Sequence, residues 1–290
     1  MKTTPVLKWL IPLIFVLTLI AAIAGLWPGD GEPYSLTNFR GEEITINARG
    51  IYYWDTLSSA AQMQANDLVV LVLGLPLLAV SFWLARRGSL RGRLLLTGTL
   101  GFILYTYITM CFGTAYNQLF LVYVATFSLS LFAFILSMMS FDLKTLPDHF
   151  SEKLPRKWIA SLLFFAAAFL ILAWLGRIAP TIFGDQIPML ENVTSMFIQA
   201  MDLGLIVPMC VLAAVLLLRR EAWGYLLASV GLMKFLTMGI AVTLMGFNMA
   251  RVGASVNGPM LVIFGTIALV NLVMAIFLLK NIQESPHLIK

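Results

Sequence analysis

Asp67-Leu-Val-Val-Leu-Val-Leu-Gly-Leu-Pro-Leu-Leu-Ala-Val-Ser-Phe-Trp-Leu-Ala85 carries its one charge at its first residue and runs straight into Arg86-Arg87. Crossing a bilayer demands a run of this kind: about 30 Å of hydrocarbon, at 1.5 Å per helical residue, takes about 20 apolar residues. A soluble helix would show a polar face, and a barrel strand would alternate over about ten residues. The stretch does neither. Reading outward, the same pattern recurs at Val6–Trp27, Leu94–Phe112, Gln118–Met139, Trp158–Leu175, Asn192–Leu218, Trp223–Phe247 and Gly258–Leu279. The expected fold is therefore all-α, a polytopic bundle of about eight transmembrane helices.

Composition agrees. Of 290 residues, 60% are hydrophobic and 11% charged, against about 25% charged in soluble domains. The net charge of +5 does not point to nucleic acid, because the basic residues sit at helix ends, where they act as topology signals. With the N-terminus placed inside, the inner segments hold Lys2, Lys8, Arg86, Arg87, Arg91, Arg93, Lys144, Lys153, Arg156, Lys157, Arg219, Arg220, Lys280 and Lys290. The outer segments hold only Arg40, Arg49, Arg177 and Arg251. Lys and Arg accumulate on the cytoplasmic side, so both termini are expected in the cytoplasm. The first span also resembles a secretory signal with Ala22-Ile23-Ala24 as a cleavage site. Its apolar run is long for a signal, and the expectation is that it is retained.

The outer segment 28–66 is the sizeable polar piece. Tyr34–Asn38, Phe39-Arg-Gly-Glu42 and Glu43–Asn47 read as strand, turn and strand, followed by the aromatic cluster Gly50-Ile-Tyr-Tyr-Trp54. This predicts a small extracytoplasmic hairpin-like cap, which is also where a protein partner would dock. The inner loop Phe141–Lys157 reads as a solvated connection.

Two halves resemble one another. Arg86-Arg87 recurs as Arg219-Arg220, and at the same offset Leu94 matches Leu227, Gly98 matches Gly231 and Phe102 matches Phe235. Asp67 with Pro76 corresponds to Asp202 with Pro208 if a short gap is allowed. The expected organisation is a first four-helix half over 1–140 including the cap, a cytoplasmic linker over 141–157, and a second half over 158–290. Four is even, so the halves would be parallel repeats about an axis along the membrane normal.

Charges inside spans are costly and tend to face the bundle interior and pair. Asp202 and Lys234 are the two deep ones, on neighbouring helices at heights that differ by roughly 6 Å at 1.5 Å per residue. They are expected to form an ion pair, which either fixes helix register or works as an ion-coupled site. Ser195, Gln199 and Asp202 are spaced to share a helical face. Pro208 frees a backbone carbonyl one turn back, and Asn271 adds an amide near mid-membrane. A secondary polar cluster comprises Tyr105, Thr109, Tyr116, Asn117 and Tyr123, readable as interfacial tyrosines or as a pocket opening outward. His149 and His287 lie outside every span, which argues against haem held between helices. Cys111 and Cys210 show no metal or disulfide spacing. No metal, cofactor or catalytic constellation is expected, so an enzyme is the weakest reading.

Three stretches carry a resemblance: Asp67–Pro76 with Arg86–Gly92, Ala115–Tyr123 through Ser128–Ser130, and Asp202–Pro208 followed by Leu218–Tyr225. Together they resemble an uncharacterised family of bacterial multi-pass inner-membrane proteins with no assigned activity. The resemblance implies topology and a bacterial cytoplasmic membrane, and no function. The functional expectation from the buried charges, the kinked helix and the repeat is transport of a small solute by a permease within the lipid bilayer. The alternative is a sensor or assembly partner that uses residues 28–66.

Overall fold

The computed structural model describes residues 5–184, 186–256 and 258–284; Lys2, His287 and Lys290 lie outside them. Among the described residues, eight helices are long and apolar enough to cross a membrane. They are α1 (Leu7–Leu26), α2 (Leu57–Arg86), α3 (Leu90–Gly113), α4 (Phe120–Met139), α5 (Arg156–Ile182), α6 (Phe197–Leu218), α7 (Ala222–Arg251) and α8 (Gly258–Lys280). A two-stranded antiparallel sheet, β1 (Tyr34–Thr37) and β2 (Glu43–Ile46), lies between α1 and α2, in register from Tyr34↔Ile46 to Thr37↔Glu43.

Several boundaries differ from the expectation. Helix α2 begins at Leu57, not Asp67, because Thr56 caps it by accepting the Ser59 N–H at 3.2 Å. The cap therefore ends near residue 56, and 57–66 belong to the helix. Helix α6 begins at Phe197 rather than Asn192, which leaves Ser195 in the preceding loop. Helix α5 continues past Leu175 to Ile182.

Helices α2 and α6 share an irregularity. Each widens into one π-turn, over Val70–Gly74 and Asp202–Ile206. The Leu75 N–H bonds to the Val70 carbonyl, and the Val207 N–H to the Asp202 carbonyl, five residues back. Pro76 and Pro208 come next. A proline ring collides with the carbonyl four residues before it, and inserting a wider turn relieves that collision while keeping the helix continuous.

Helix α1 packs on α2 and α4, and α3 packs on α2 and α4. Helix α6 packs on α5 and α7, and α8 packs on α7. Between these groups α3 crosses α7, the first part of α2 also meets α7, and the first turn of α6 meets α3. The α3–α7 crossing is tight at Gly98, where a Cβ would stand 2.2 Å from the Met233 Cβ. Buried apolar side chains form two clusters, one largely within α1–α4 and one largely within α5–α8.

The loops gather at two ends. At the cap end, Ile44 and Ile46 of β2 turn inward, and the hairpin is fastened to the segment before α6. Glu191, in a left-handed conformation (φ 54°), accepts from Thr56 and from Ser58 Oγ at 2.6 Å. Its carbonyl accepts from Asn38 Nδ2 at 2.7 Å and an Arg40 guanidinium N–H at 2.6 Å. At the opposite end, segment 141–155 is not merely a solvated connection. Phe141, Leu146, Phe150 and Leu154 are buried in the second cluster, and Phe150 forms a bridge with Ile282. These four apolar side chains pack it against the helices. Glu284 accepts from the Leu90 and Arg91 N–H groups and from Ser89 Oγ at the start of α3.

Candidate functional site

Asp202 sits at the π-turn of α6, where its carboxylate projects into the bundle and is 7% exposed. Its Oδ1 accepts the Tyr105 hydroxyl of α3 at 2.8 Å, and its Oδ2 accepts the Trp174 indole N–H of α5 at 3.0 Å. One carboxylate thereby ties three helices. Both donors are neutral, so the hydrogen bonds are satisfied without a counter-charge in contact.

Lys234 of α7 is buried as well, at 6% exposure. The expected contact with Asp202 is not made: among the described residues the ion pairs are Arg40–Glu42, Arg156–Glu152 and Arg220–Glu152. The Lys234 ammonium instead lies over the Tyr105 ring, 4.0 Å from its centroid, with Phe235 at 5.1 Å. Tyr105 comes between the two charges. Its ring face attracts the cation, while its hydroxyl donates to the anion. Helical height from sequence suggested a direct pair, and it could not reveal a third helix placing Tyr105 in contact with both charges.

The other predicted residues are distributed more widely. Gln199 is buried on the first turn of α6. Ser195 lines a separate shallow cleft of about 170 Å³ with Thr114, Ala115 and Asn192. Asn271 Nδ2 donates to the Leu232 carbonyl at 2.8 Å, a tie between α8 and α7. Thr109 bonds back to the Tyr105 carbonyl. The secondary cluster does not form one pocket. Tyr116 is 78% exposed. Asn117 caps the turn before α4 by accepting the Leu119 N–H. Tyr123 is buried beside Tyr107, with ring centroids 6.2 Å apart. The helices splay these residues onto different faces, which spacing within α3 and α4 alone does not resolve.

A second buried carboxylate lies on α2. Asp67, 2% exposed, accepts the Tyr52 hydroxyl of the cap at 2.5 Å. It is packed so closely against α1 that a Cβ at Gly25 would stand 1.8 Å from its Oδ2. Sequence reasoning singled out Asp67 but missed Tyr52 and Trp174. Each is an aromatic with one polar atom in an apolar setting, and such a buried atom usually finds a partner.

At the base of the cap Asp55 is fully buried. Its Oδ1 accepts the Ala115 N–H at 3.0 Å and the Ser59 hydroxyl at 3.2 Å. Burial pushes this carboxyl up to about 7, against the lowering effect of those two bonds. Glu284, at the other end, is held below its ordinary range. Burial works to raise it, but the hydrogen bonds from Arg91, Ser89 and Leu90 outweigh that.

Among the described residues no group of His, Cys, Asp or Glu side chains is arranged to hold a metal ion. No protein-family model, curated protein or solved structure matches the chain.

Proposed function

We propose that the protein is a permease of a bacterial cytoplasmic membrane that moves a small solute, with Asp202 as its protonatable centre. The observation that carries this reading is the Asp202 carboxylate at the π-turn of a membrane-length helix, held by Tyr105 and Trp174, with Lys234 close but not in contact. A tyrosine hydroxyl can donate or accept. Asp202 can therefore take up a proton and return its hydrogen bond to Tyr105 with little movement of heavy atoms. Ionisable residues deep in a membrane commonly mark ion or substrate pathways, and π-turns recur at functional sites.

The cytoplasmic placement of both termini is supported by charge. The end opposite the cap gathers Arg86, Arg87, Lys144, Lys153, Arg219 and Arg220. The bacterial assignment rests on the resemblance of the quoted stretches. Two parallel four-helix repeats are supported by the paired π-turns before Pro76 and Pro208, the two apolar clusters and the central α3–α7 crossing.

The test is uptake into proteoliposomes carrying an internal pH dye, across a panel of small solutes and under an imposed proton gradient. For the solute that moves, Asp202→Asn is expected to uncouple flux from the gradient, and Tyr105→Phe to weaken coupling. Gradient-driven uptake in Asp202→Asn equal to the parent's would remove the proposal. A second reading, a sensor or assembly partner, is favoured by the pre-assembled cap. Phe39 at its tip is 77% exposed, with the Arg40 guanidinium over its ring. Replacing Phe39 in the full chain and finding loss of a co-purifying protein with transport intact would favour that reading.

A further inference from the structure

A cleft lies away from Asp202, and none of its lining residues belongs to the Asp202 site. It opens at the cap end, between the end of α1, the cap, the first turns of α2 and the last turns of α7, and encloses about 800 Å³. That is the size of an ordinary small-molecule site. Its chemistry is uneven. Arg49 comes from the cap and Arg251 from the end of α7, while Leu68 and Phe247 form apolar wall.

We propose that this cleft binds the headgroup of a membrane phospholipid, with Arg49 and Arg251 taking the phosphodiester. Each guanidinium is anchored through Nε alone: Arg49 to the Gly31 carbonyl at 2.8 Å, Arg251 to Asn248 Oδ1 at 3.1 Å. Among the described residues the terminal N–H groups of both have no hydrogen-bond or ion-pair partner. Those groups form the planar fork that suits phosphate oxygens. The Gln64 side-chain amide, also in the lining, is likewise without a partner among the described residues. Asn248 is rigid, because its Nδ2 donates to the Ala61 carbonyl at 2.7 Å and joins α7 to α2.

The position suits a lipid rather than a solute from bulk water. The cleft lies where α1 and α7 reach the end of their apolar length. Trp27 there is 70% exposed, as expected of a side chain at the headgroup level. Below the arginines the wall turns apolar and open: Leu68 is 43% exposed, Phe247 59%, and Val72, one turn further along α2, 66%. Acyl chains can follow that surface while the phosphate stays with the cations. Asp30 also lines the cleft. A carboxylate there disfavours a purely anionic headgroup and suits one that carries an ammonium next to its phosphate. The site is accordingly assigned to an aminophospholipid.

The inference requires that the chain lie in a bilayer; it does not depend on what the protein transports, so failure of the uptake assay leaves it standing. The experiment is native mass spectrometry of the full chain in nonionic detergent, titrated with phosphatidylethanolamine, phosphatidylglycerol or phosphatidylcholine. The parent is expected to retain one phosphatidylethanolamine. Retention should fall about tenfold in R49Q/R251Q and stay unchanged in R86Q/R87Q, which removes two cations at the opposite end. Equal retention in R49Q/R251Q and the parent overturns the proposal. So does displacement of the lipid by millimolar inorganic phosphate, which would assign the arginines to a soluble phosphate compound. Asp30→Asn leaves both arginines in place and covers the case in which R49Q/R251Q does not fold. It should shift preference from phosphatidylethanolamine toward phosphatidylglycerol, and an unchanged ratio overturns the aminophospholipid assignment.

Discussion

A tyrosine can offer a cation its ring face and an anion its hydroxyl at the same time, and Tyr105 does both. The two roles separate by substitution. Tyr105→Phe keeps the ring under Lys234 and removes the donor to Asp202. Leaving a buried acceptor short of a partner costs about 1–3 kcal/mol, so the variant should unfold earlier by that amount in denaturant titrations in detergent. Tyr105→Leu removes the ring too and should lose more. Equal stability of the Phe and Leu variants would show that the Lys234 contact contributes nothing. The repeat-matched glycines give a second contrast. A methyl at Gly98 would press on the Met233 Cβ and, at 3.1 Å, on the Val230 carbonyl, whereas nothing lies nearer than 3.8 Å at Gly231. Gly98→Ala should destabilise by about 1–3 kcal/mol through overpacking. Gly231→Ala should be neutral, or stabilising by up to about 1 kcal/mol from helix propensity. Thermal melts of the pair check this directly, and equal shifts would contradict the crossing geometry.

At the scale of elements, the cap is built from both parts of the chain. Thr56 and Ser58 at the start of α2 bind Glu191 from the segment before α6, and Asp55 beneath them binds the Ala115 N–H of the α3–α4 turn. Asp55 gives this assembly a pH dependence. Its folded carboxyl is raised to about 7, so the folded state holds its proton where the unfolded chain has released it. The resulting penalty is absent in acid. It grows as pH rises from the ordinary carboxylate range to about 7 and is constant above that. The groups bonded to the Asp55 carboxylate are the Ser59 hydroxyl on α2 and the Ala115 N–H of the turn, neither of them charged. Asp55→Asn keeps an acceptor for Ala115. It should slow amide exchange of the hairpin at pH 8, flattening the change in exchange protection seen between pH 5 and 8 in the parent, as expected for one titrating carboxyl. An unaltered pH profile in the variant would exclude Asp55 as its source.

On the scale of the whole molecule, loops alternate between two ends, with the cap, Glu191 and Arg251 at one and Arg86, Lys144, Glu152 and Glu284 at the other. For the proposed orientation, a cysteine at Ser35 should react with a membrane-impermeant maleimide in intact spheroplasts. One at Lys144 should react only after lysis. Cys210 is buried and Cys111 only partly exposed, so background labelling should be low. The reverse pattern would invert the topology.

What could be read from sequence was what depends on local length and charge. Continuous apolar runs specified the spans, because hydrocarbon thickness sets a minimum helix length whatever the neighbours are. The strand–turn–strand reading of 34–47 matches β1 and β2, since turn residues act over a few positions. Pro208 marked where α6 departs from regular α-helix, although the departure is a π-turn within a continuous helix. The candidate site was legible as an expected Asp202–Lys234 ion pair, with Tyr105 assigned to a separate cluster. Asp202 meets Tyr105 across 97 positions and Trp174 across 28, and Asp67 meets a cap residue, Tyr52, rather than another span. Those partners follow from which helix faces turn inward, and faces in a span apolar on every side leave no periodic trace in the sequence. The segment before α6 and the loop 141–155 behave similarly. The charged residues of 141–157 suggested a solvated connection and the segment before α6 showed no pattern, while Glu191, Phe141 and Phe150 are fixed by residues far away in the chain. Spans and charge bias follow from single-chain chemistry. The polar core, the closed cap and the arginine-lined cleft exist only once helices from distant parts of the chain are packed together.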